Sequence, residues 1–139
     1  TLAKELELGD RIIFTGNIED REFLRKLYCR ADFLLFPSLY DTFSLVVREA
    51  ASQGCPALLI EKSNASEGVT DEVNGILAEN RPESIASRVL KVLETPELLK
   101  KVGENAQKTL YVSWEKVVDR VYERYLDIVR THRRMHACN

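Results

Sequence analysis

The sequence predicts an α/β fold, a doubly wound (Rossmann-like) parallel sheet followed by C-terminal helices. Short apolar runs alternate with stretches whose apolar residues recur at helical spacing. These runs are almost continuously apolar, which is typical of parallel strands covered on both faces. A length of 139 residues suits a single domain.

The predicted elements follow one another in strict alternation until the last third of the chain. The predicted strands are Arg11–Thr15, Asp32–Phe36, Pro56–Ile60 and Gly75–Ala78. The predicted helices are Leu2–Leu8, a helix from Arg21 capped by Asp20, Ser44–Gln53 ended by Gly54, Glu83–Leu93, Pro96–Leu110, and a long final helix capped by Ser113. Four strands are few for such a sheet and the chain opens in a helix, so we expect a partial domain whose upstream strands are absent.

Composition narrows the classes of function. The formal net charge is −2, from 20 basic and 22 acidic side chains, which disfavours nucleic acid as a partner. The longest apolar runs are too short to span a bilayer. Three widely spaced cysteines favour reduced thiols and a cytoplasmic setting. His132, His136 and Cys138 lie near one another in the tail, but we infer no metal site from them.

The final helix carries an apolar stripe from Trp114 to Val129. Such a stripe is typical of core or interdomain packing. Beyond it, Arg130, Arg133 and Arg134 fit a solvated helix end or contact with an anionic surface, so peripheral association with the inner face of a membrane stays open. We expect residues 130–139 to form a flexible tail.

The loop after the second predicted strand leads into the helix that starts at Ser44. In open α/β sheets ligands lie beyond the carboxyl ends of the strands, where loops enter helix N-termini. The backbone N–H groups of Ser44, Leu45 and Val46 would point outward there, with the positive end of the helix dipole behind them. The sequence therefore predicts an anion site suited to phosphate.

Two carboxylates bracket that helix start. Asp41 precedes it and Glu49 follows in its second turn, with seven residues between them. Because carboxylates only accept hydrogen bonds, we expect them to bind hydroxyls of a sugar and a ribose beside a diphosphate. Asp41 alone would fit a turn and Glu49 alone a solvated position, although the apolar neighbours of Glu49 make an unpaired charge costly. Glu67 fits either a cap or a contact with sugar or acceptor.

The segment Phe36–Ala50, continued by Gly54 and Pro56, resembles the signature of family 4 glycosyltransferases. That signature has two acids separated by seven residues around a Gly-Phe-Gly-Leu-Val core, then Glu-Ala and a Gly-x-Pro turn. The resemblance covers nearly the whole chain, from Leu2 to about Val129. Further elements of the family are matched in order by Asp10–Gly16, by Glu67 with Asp71–Leu77, and by Ser113–Glu115.

The resemblance implies that residues 1–139 are the C-terminal, donor-binding domain of a two-domain GT-B glycosyltransferase, without its N-terminal acceptor domain. It implies a retaining enzyme that transfers a hexose from a nucleoside-diphosphate sugar, expected to be a UDP-hexose, to a lipid, saccharide or other acceptor. No metal or other cofactor is implied, and we expect the fragment alone to be inactive. The alternative is a non-catalytic nucleotide-sugar-binding subunit that acts with a partner chain; nothing favours a sugar-nucleotide epimerase.

The resemblance also implies residue roles. Glu49 would hold the ribose hydroxyls and Asp41 the hydroxyls of the transferred sugar, and these two are the candidate catalytic residues. The amides from Ser44 to Val46 would bind the diphosphate, with Phe43 in the same donor-binding loop. Gly16 and Asn17 would lie near the base.

Several residues depart from the family pattern. The first acid is Asp41 rather than glutamate, and Thr42 and Ser44 stand where glycine is usual. Aspartate has a shorter side chain than glutamate, so the first carboxylate lies closer to the backbone. Side chains at positions 42 and 44 leave a phosphate less room to approach the backbone than glycine would. The basic residues that neutralise the diphosphate would belong to the upstream part, and neither Arg21 nor Lys26 is a convincing substitute.

Overall fold

The computed structural model describes residues 2–42 and 44–136, with side chains at all of these except 10 and 133–136. Its architecture is a three-stranded parallel sheet with helices on both faces, which confirms the predicted α/β class and the partial domain. The strands are β1 (Leu34–Phe36), β2 (Ala57–Ile60) and β3 (Ile76–Ala78). The helices are α1 (Leu2–Glu5), α2 (Arg21–Arg30), α3 (Leu45–Ser52), α4 (Pro82–Leu93), α5 (Pro96–Thr109) and α6 (Trp114–His136).

The sheet has the order β1-β2-β3, with all strands parallel. The register pairs Leu35 with Leu58 and Leu58 with Ile76. All four residues of β2 are buried, as expected for a central strand with helices on both faces. Successive side chains of β2 therefore serve two separate cores.

One core lies between the sheet and the pair α4 and α5. Leu58 and Ile76 from the sheet meet Val92 of α4 and Val102 of α5, and all four side chains are fully buried. Burying an aliphatic side chain of this size stabilises a fold by about 1.5–3 kcal/mol. This core fixes α5, whose next turn supports α3 through Ala106.

The second core lies between the sheet and α3. Val47 of α3 packs on Ala57 and Leu59 of β2, together with Ala65 from a 3₁₀ turn at Asn64–Ser66. Ala50, which is also buried, faces the same way as Val47 along the helix. Small side chains at these positions let the helix lie close to the strands, and the helix start comes to the carboxyl edge of the sheet.

The strand predicted at Arg11–Thr15 is wrong. A 3₁₀ turn covers Gly9–Arg11, and residues 12–20 pair with no strand in the described chain. Ile13 and Phe14 are 84% and 77% exposed. A β-strand is stable only with a hydrogen-bonded neighbour, and no described strand lies beside this apolar run.

Helix α6 leaves its apolar stripe in solvent, so the stripe is not part of this domain's core. Trp114, Val118, Tyr122 and Tyr125 are each 60% exposed or more. Residues 130–136, expected to belong to a flexible tail, continue the helix, while 137–139 lie outside the described residues. Among the described helices, none combines the length and apolar composition that crossing a bilayer requires.

The end of α3 is built on a close backbone contact. Gly54 has φ +72°, the left-handed conformation predicted for the residue after this helix. Its backbone N–H donates to Ala51 O at 2.9 Å, and Cys55 N donates to Ala50 O at 3.0 Å. A Cβ on Gly103 of α5 would lie 2.1 Å from Gly54 O, so glycine at 103 permits the contact between the two elements.

Replacing Gly103 with alanine is expected to destabilise the protein, although alanine is the better helix former by about 1 kcal/mol. The added methyl group would overlap backbone that cannot move without displacing the end of α3. We expect a net loss of about 1–3 kcal/mol in urea unfolding. The control is Lys101→Ala at an exposed position of the same helix. Equal or greater stability of Gly103→Ala would contradict the close contact.

Candidate functional site

The start of α3 presents free backbone amides at the carboxyl edge of β1. Among the described residues the first helical bond runs from Arg48 N to Ser44 O at 3.2 Å, and the amides of Leu45, Val46 and Val47 have no acceptor there. Ser44 precedes the helix at φ 49° and ψ 55°, and its side chain does not cap it. The predicted helix start is therefore confirmed, one residue later than expected, and its N–H groups remain available to an anion.

Helix α3 separates structural from candidate functional residues by face. Val47, Ala50 and Ala51 are buried against the sheet and α5. Leu45 and Glu49, which lie one helical turn apart, face outward and are partly exposed. The two faces follow from the helical period, so packing of the first set orients the second.

Glu49 is paired. Its Oε1 atom accepts from Arg21 Nη1 at 3.1 Å, and its side chain is 41% exposed. The apolar neighbours Val47, Ala50 and Ala51, which were expected to make an unpaired charge costly, face the opposite way. Oε2 has no hydrogen-bond partner among the described residues, so Glu49 keeps an acceptor for a ligand.

Helix α2 holds Arg21 in place. Asp20 caps α2 by accepting from Glu22 N at 2.9 Å and Phe23 N at 3.1 Å, as predicted. Further along α2, the Cys29 thiol donates to Gln53 Oε1 at 3.4 Å. The cap and this contact fix α2 against α3, and the first residue of α2 then reaches Glu49.

Tyr28 adds a titratable group to the same surface. Burial, and then the nearby Glu49 carboxylate, raise the pKa of the Tyr28 hydroxyl. The hydroxyl therefore stays protonated around neutral pH and can donate a hydrogen bond.

Glu49 borders two depressions. The smaller, of about 160 Å³, lies between α2 and α3 and includes Arg21 and Tyr28. The larger, of about 680 Å³, lies between α3 and the start of α6 and includes Tyr111 and Trp114. A carboxylate beside an arginine, with aromatic side chains nearby, can bind hydroxyls and stack a planar group.

A third, much smaller cavity lies beside the start of α3. Its volume is about 10 Å³, room for one water-sized group. Thr42 and Ser44 line it from the loop before α3, and Asn64 and Glu67 line it from the loop after β2. Arg48, also in its wall, donates from Nη1 to Leu110 O at 2.8 Å and so ties α3 to the end of α5.

The remaining predicted residues are placed as follows. Asp41 is partly exposed and makes no hydrogen bond or ion pair within the described chain. Gly16 and Asn17 are exposed in the loop that leads to α2, with Gly16 at φ +63°. Within the described chain no hydrogen bond or ion pair joins these three residues to Glu49. Phe43 lies outside the described residues.

Two contacts of the site were not predicted from the sequence. Arg21 was set aside as a partner for the diphosphate, whereas the structure pairs Arg21 with Glu49. Glu67 was left open between a cap and a contact with sugar or acceptor, and it lies with Asn64 in the wall of the cavity at Ser44. The Asp20 cap identified Arg21 as the first helical residue, but only the packing of α2 on α3 shows what Arg21 contacts.

The loop that carries Glu67 is anchored at its far end by an ionic cluster. Glu72 Oε1 accepts from Lys91 Nζ at 2.7 Å and from Arg88 Nη1 at 2.9 Å. Asp71 pairs with Arg88 and also accepts from Leu77 N at 2.8 Å. The cluster fixes this loop to α4 and β3, which limits how far the Glu67 end can move.

The hydrogen bonds from Lys91 and then Arg88 hold the pKa of Glu72 below its ordinary value. A carboxyl with a lowered folded-state pKa contributes stability above its unfolded pKa and loses it as the pH falls through the folded one. We therefore expect Glu72→Gln to lower the unfolding temperature at pH 7, and the difference from the wild type to vanish in acid. Thermal unfolding from pH 7 downward measures this, with Glu104→Gln on α5 as the control. A difference that is the same at all pH values would contradict the ionic origin.

The fold and site together define the class of protein. A parallel α/β sheet whose helix start presents free amides at the strands' carboxyl edge, beside a paired carboxylate, is an architecture that binds anionic ligands such as nucleotides. The model of the family described as "Glycosyl transferases group 1" matches residues 1–109. The chain belongs to that family, and the family resemblance predicted from Phe36–Pro56 is confirmed.

The sequences of related proteins support the same family. The chain is 32% identical over 119 residues to an uncharacterized glycosyltransferase of Methanocaldococcus jannaschii, covering 84% of this chain and 30% of the relative. It is 38% identical over 89 residues to a GDP-mannose-dependent alpha-(1-6)-phosphatidylinositol dimannoside mannosyltransferase of Mycobacterium tuberculosis, covering 64% of this chain and 23% of the relative. The chain thus matches less than a third of the length of either protein.

Solved structures show the same fold. A sucrose-phosphate synthase from Thermosynechococcus elongatus superposes with a TM-score of 0.82 at 27% identity, covering 94% of this chain and 33% of that one. The Alr3699/HepE protein of Anabaena, solved in complex with UDP and glucose, superposes with a TM-score of 0.78 at 22% identity, covering 90% and 34%. The second likeness concerns the fold alone.

Proposed function

We propose that this domain binds the nucleoside-diphosphate sugar of a retaining hexosyltransferase, which transfers the hexose to a lipid, saccharide or other acceptor. The observation that carries the proposal is the start of α3, where three free amides stand next to the outward-facing Glu49. Membership of the group 1 glycosyltransferase family supports it. In this proposal the acceptor is held by a further part of the polypeptide.

The diphosphate binds at the amides of Leu45, Val46 and Val47. Negative charge accumulates on the departing diphosphate as its bond to the sugar breaks. N–H groups already fixed by the helix stabilise that charge without reorganising, and the helix dipole adds to the effect. This electrostatic assistance needs no metal at the site, so we expect transfer to persist in the presence of a chelator.

Glu49 binds the ribose. Arg21 occupies Oε1 and leaves Oε2 to accept from a ribose hydroxyl. Arg21 is thereby a positioning residue that holds the carboxylate toward the groove. Asp41, partly exposed and unpaired within the described chain, is assigned to hydroxyls of the sugar, and Gly16 and Asn17 to the surroundings of the base.

For the base we favour uridine and keep guanosine as the competing choice. A structural neighbour was solved with UDP and glucose, whereas a sequence relative uses GDP-mannose. Titration of the protein with UDP and GDP, and then with UDP-glucose, UDP-galactose and GDP-mannose, decides between them.

Glu49→Gln is expected to weaken binding of the preferred nucleoside diphosphate about tenfold or more, because a hydrogen bond to a charged acceptor is lost. Calorimetry with the ribonucleotide and its 2′,3′-dideoxy analogue isolates the ribose contact. The wild type should discriminate strongly between the two ligands, and Glu49→Gln should not.

Glu83→Gln, at an exposed position of α4, is the matched control and should bind as the wild type does. Equal discrimination by Glu49→Gln and the wild type would overturn the ribose role. Absence of binding of any nucleoside diphosphate by the wild type would overturn the proposed function itself.

A further inference from the structure

We propose that the small cavity beside the start of α3 receives one hydroxyl of the transferred sugar, so that Ser44 and Glu67 determine which hexose the protein accepts. The inference rests on the proposed function and adds to it the group that selects the sugar. Ser44 acts here through its side chain, whereas the diphosphate is assigned to the amides of Leu45, Val46 and Val47.

Ser44 combines two unfavourable features. It is only 4% exposed, and its hydroxyl oxygen has no hydrogen-bond partner among the described residues. Its φ of 49° also places a residue with a Cβ in the left-handed region. A buried hydroxyl without a partner is costly, and backbone strain of this kind concentrates at functional sites. The first feature is accounted for if the hydroxyl has a partner when ligand is bound, and the second is of the kind found at such sites.

The size of the cavity favours a single hydroxyl group. Its volume of about 10 Å³ accepts one water-sized group, and the oxygen of a sugar hydroxyl is of that size. A whole phosphate group is too large to enter. The diphosphate instead has the free amides of the same helix start.

The chemistry of the walls also favours a hydroxyl. A sugar hydroxyl both donates and accepts one hydrogen bond or more. The buried Ser44 hydroxyl can donate to it, and Glu67, an exposed residue that contributes to the wall, carries a carboxylate that can only accept from it. Asn64, which also lines the cavity, has a side-chain amide that can donate or accept a hydrogen bond.

The test separates the sugar's contribution from that of the nucleotide. Affinities are measured by calorimetry for the preferred nucleoside diphosphate and for its glucose, galactose and mannose derivatives. The readout is the ratio of the two dissociation constants, nucleoside diphosphate over nucleotide sugar. We expect Ser44→Ala and Glu67→Gln each to lower this ratio roughly three- to tenfold for the preferred sugar, the effect of one lost hydrogen bond. Affinity for the nucleoside diphosphate alone should change less than twofold.

Stability measurements exclude a merely structural role. Removing an unsatisfied buried hydroxyl should leave the unfolding temperature of Ser44→Ala unchanged or higher. Ser87→Ala, at an exposed position of α4, is the control for both measurements. An unchanged ratio in Ser44→Ala, with or without a lower unfolding temperature, would overturn the inference, since the cavity would then hold only a water molecule.

A parallel fall in both affinities would also overturn it, because Ser44 would then act on the diphosphate. These outcomes leave the proposed function intact. Failure of the wild type to bind any nucleoside diphosphate would remove the proposed function and this inference together.

Discussion

The close packing of α3 against the sheet and against α5 is the constraint on which the rest of the structure depends. Val47 and Ala50 bring the helix down onto β2, and Gly103 lets α5 reach the backbone at Gly54. Buried packing therefore fixes the body of the helix, and its end is fixed by a contact that leaves no room for an extra methyl group. The free amides at one end and the Glu49 carboxylate on the outer face inherit that rigidity, which is what a site based on preorganised dipoles requires.

Apolar packing sets the position of the site, and polar contacts orient its side chains. The pairing of Arg21 with Glu49 is exposed to solvent, where an ion pair adds at most about 1 kcal/mol to stability. Its value lies in orientation, because it fixes one carboxylate oxygen and leaves the other for a ligand. The cluster around Glu72 acts in the same way on the loop that carries Glu67.

Local sequence rules predicted the elements whose stability is local. The Asp20 cap, the left-handed Gly54 and the prolines at the starts of α4 and α5 all lie where expected. The prediction of a strand at Arg11–Thr15 failed because a strand needs a hydrogen-bonded neighbouring strand, and apolar composition does not show whether one is present. Contacts between elements distant in the chain could not be predicted either. The helical period predicts which residues of α3 face outward. It does not predict that an arginine pairs with Glu49, or which side chains share a cavity with Ser44.

The division of α3 into an inner and an outer face has an evolutionary consequence. Substitutions at the outward positions Leu45 and Glu49 alter what the surface binds while the core contacts of Val47 and Ala51 persist. Ligand preference and folding therefore depend on opposite faces of one short helix, so substitutions that change the first need not weaken the second. Ser44 is the exception, being both buried and strained, so a change of preference at that position also shifts the balance of stability.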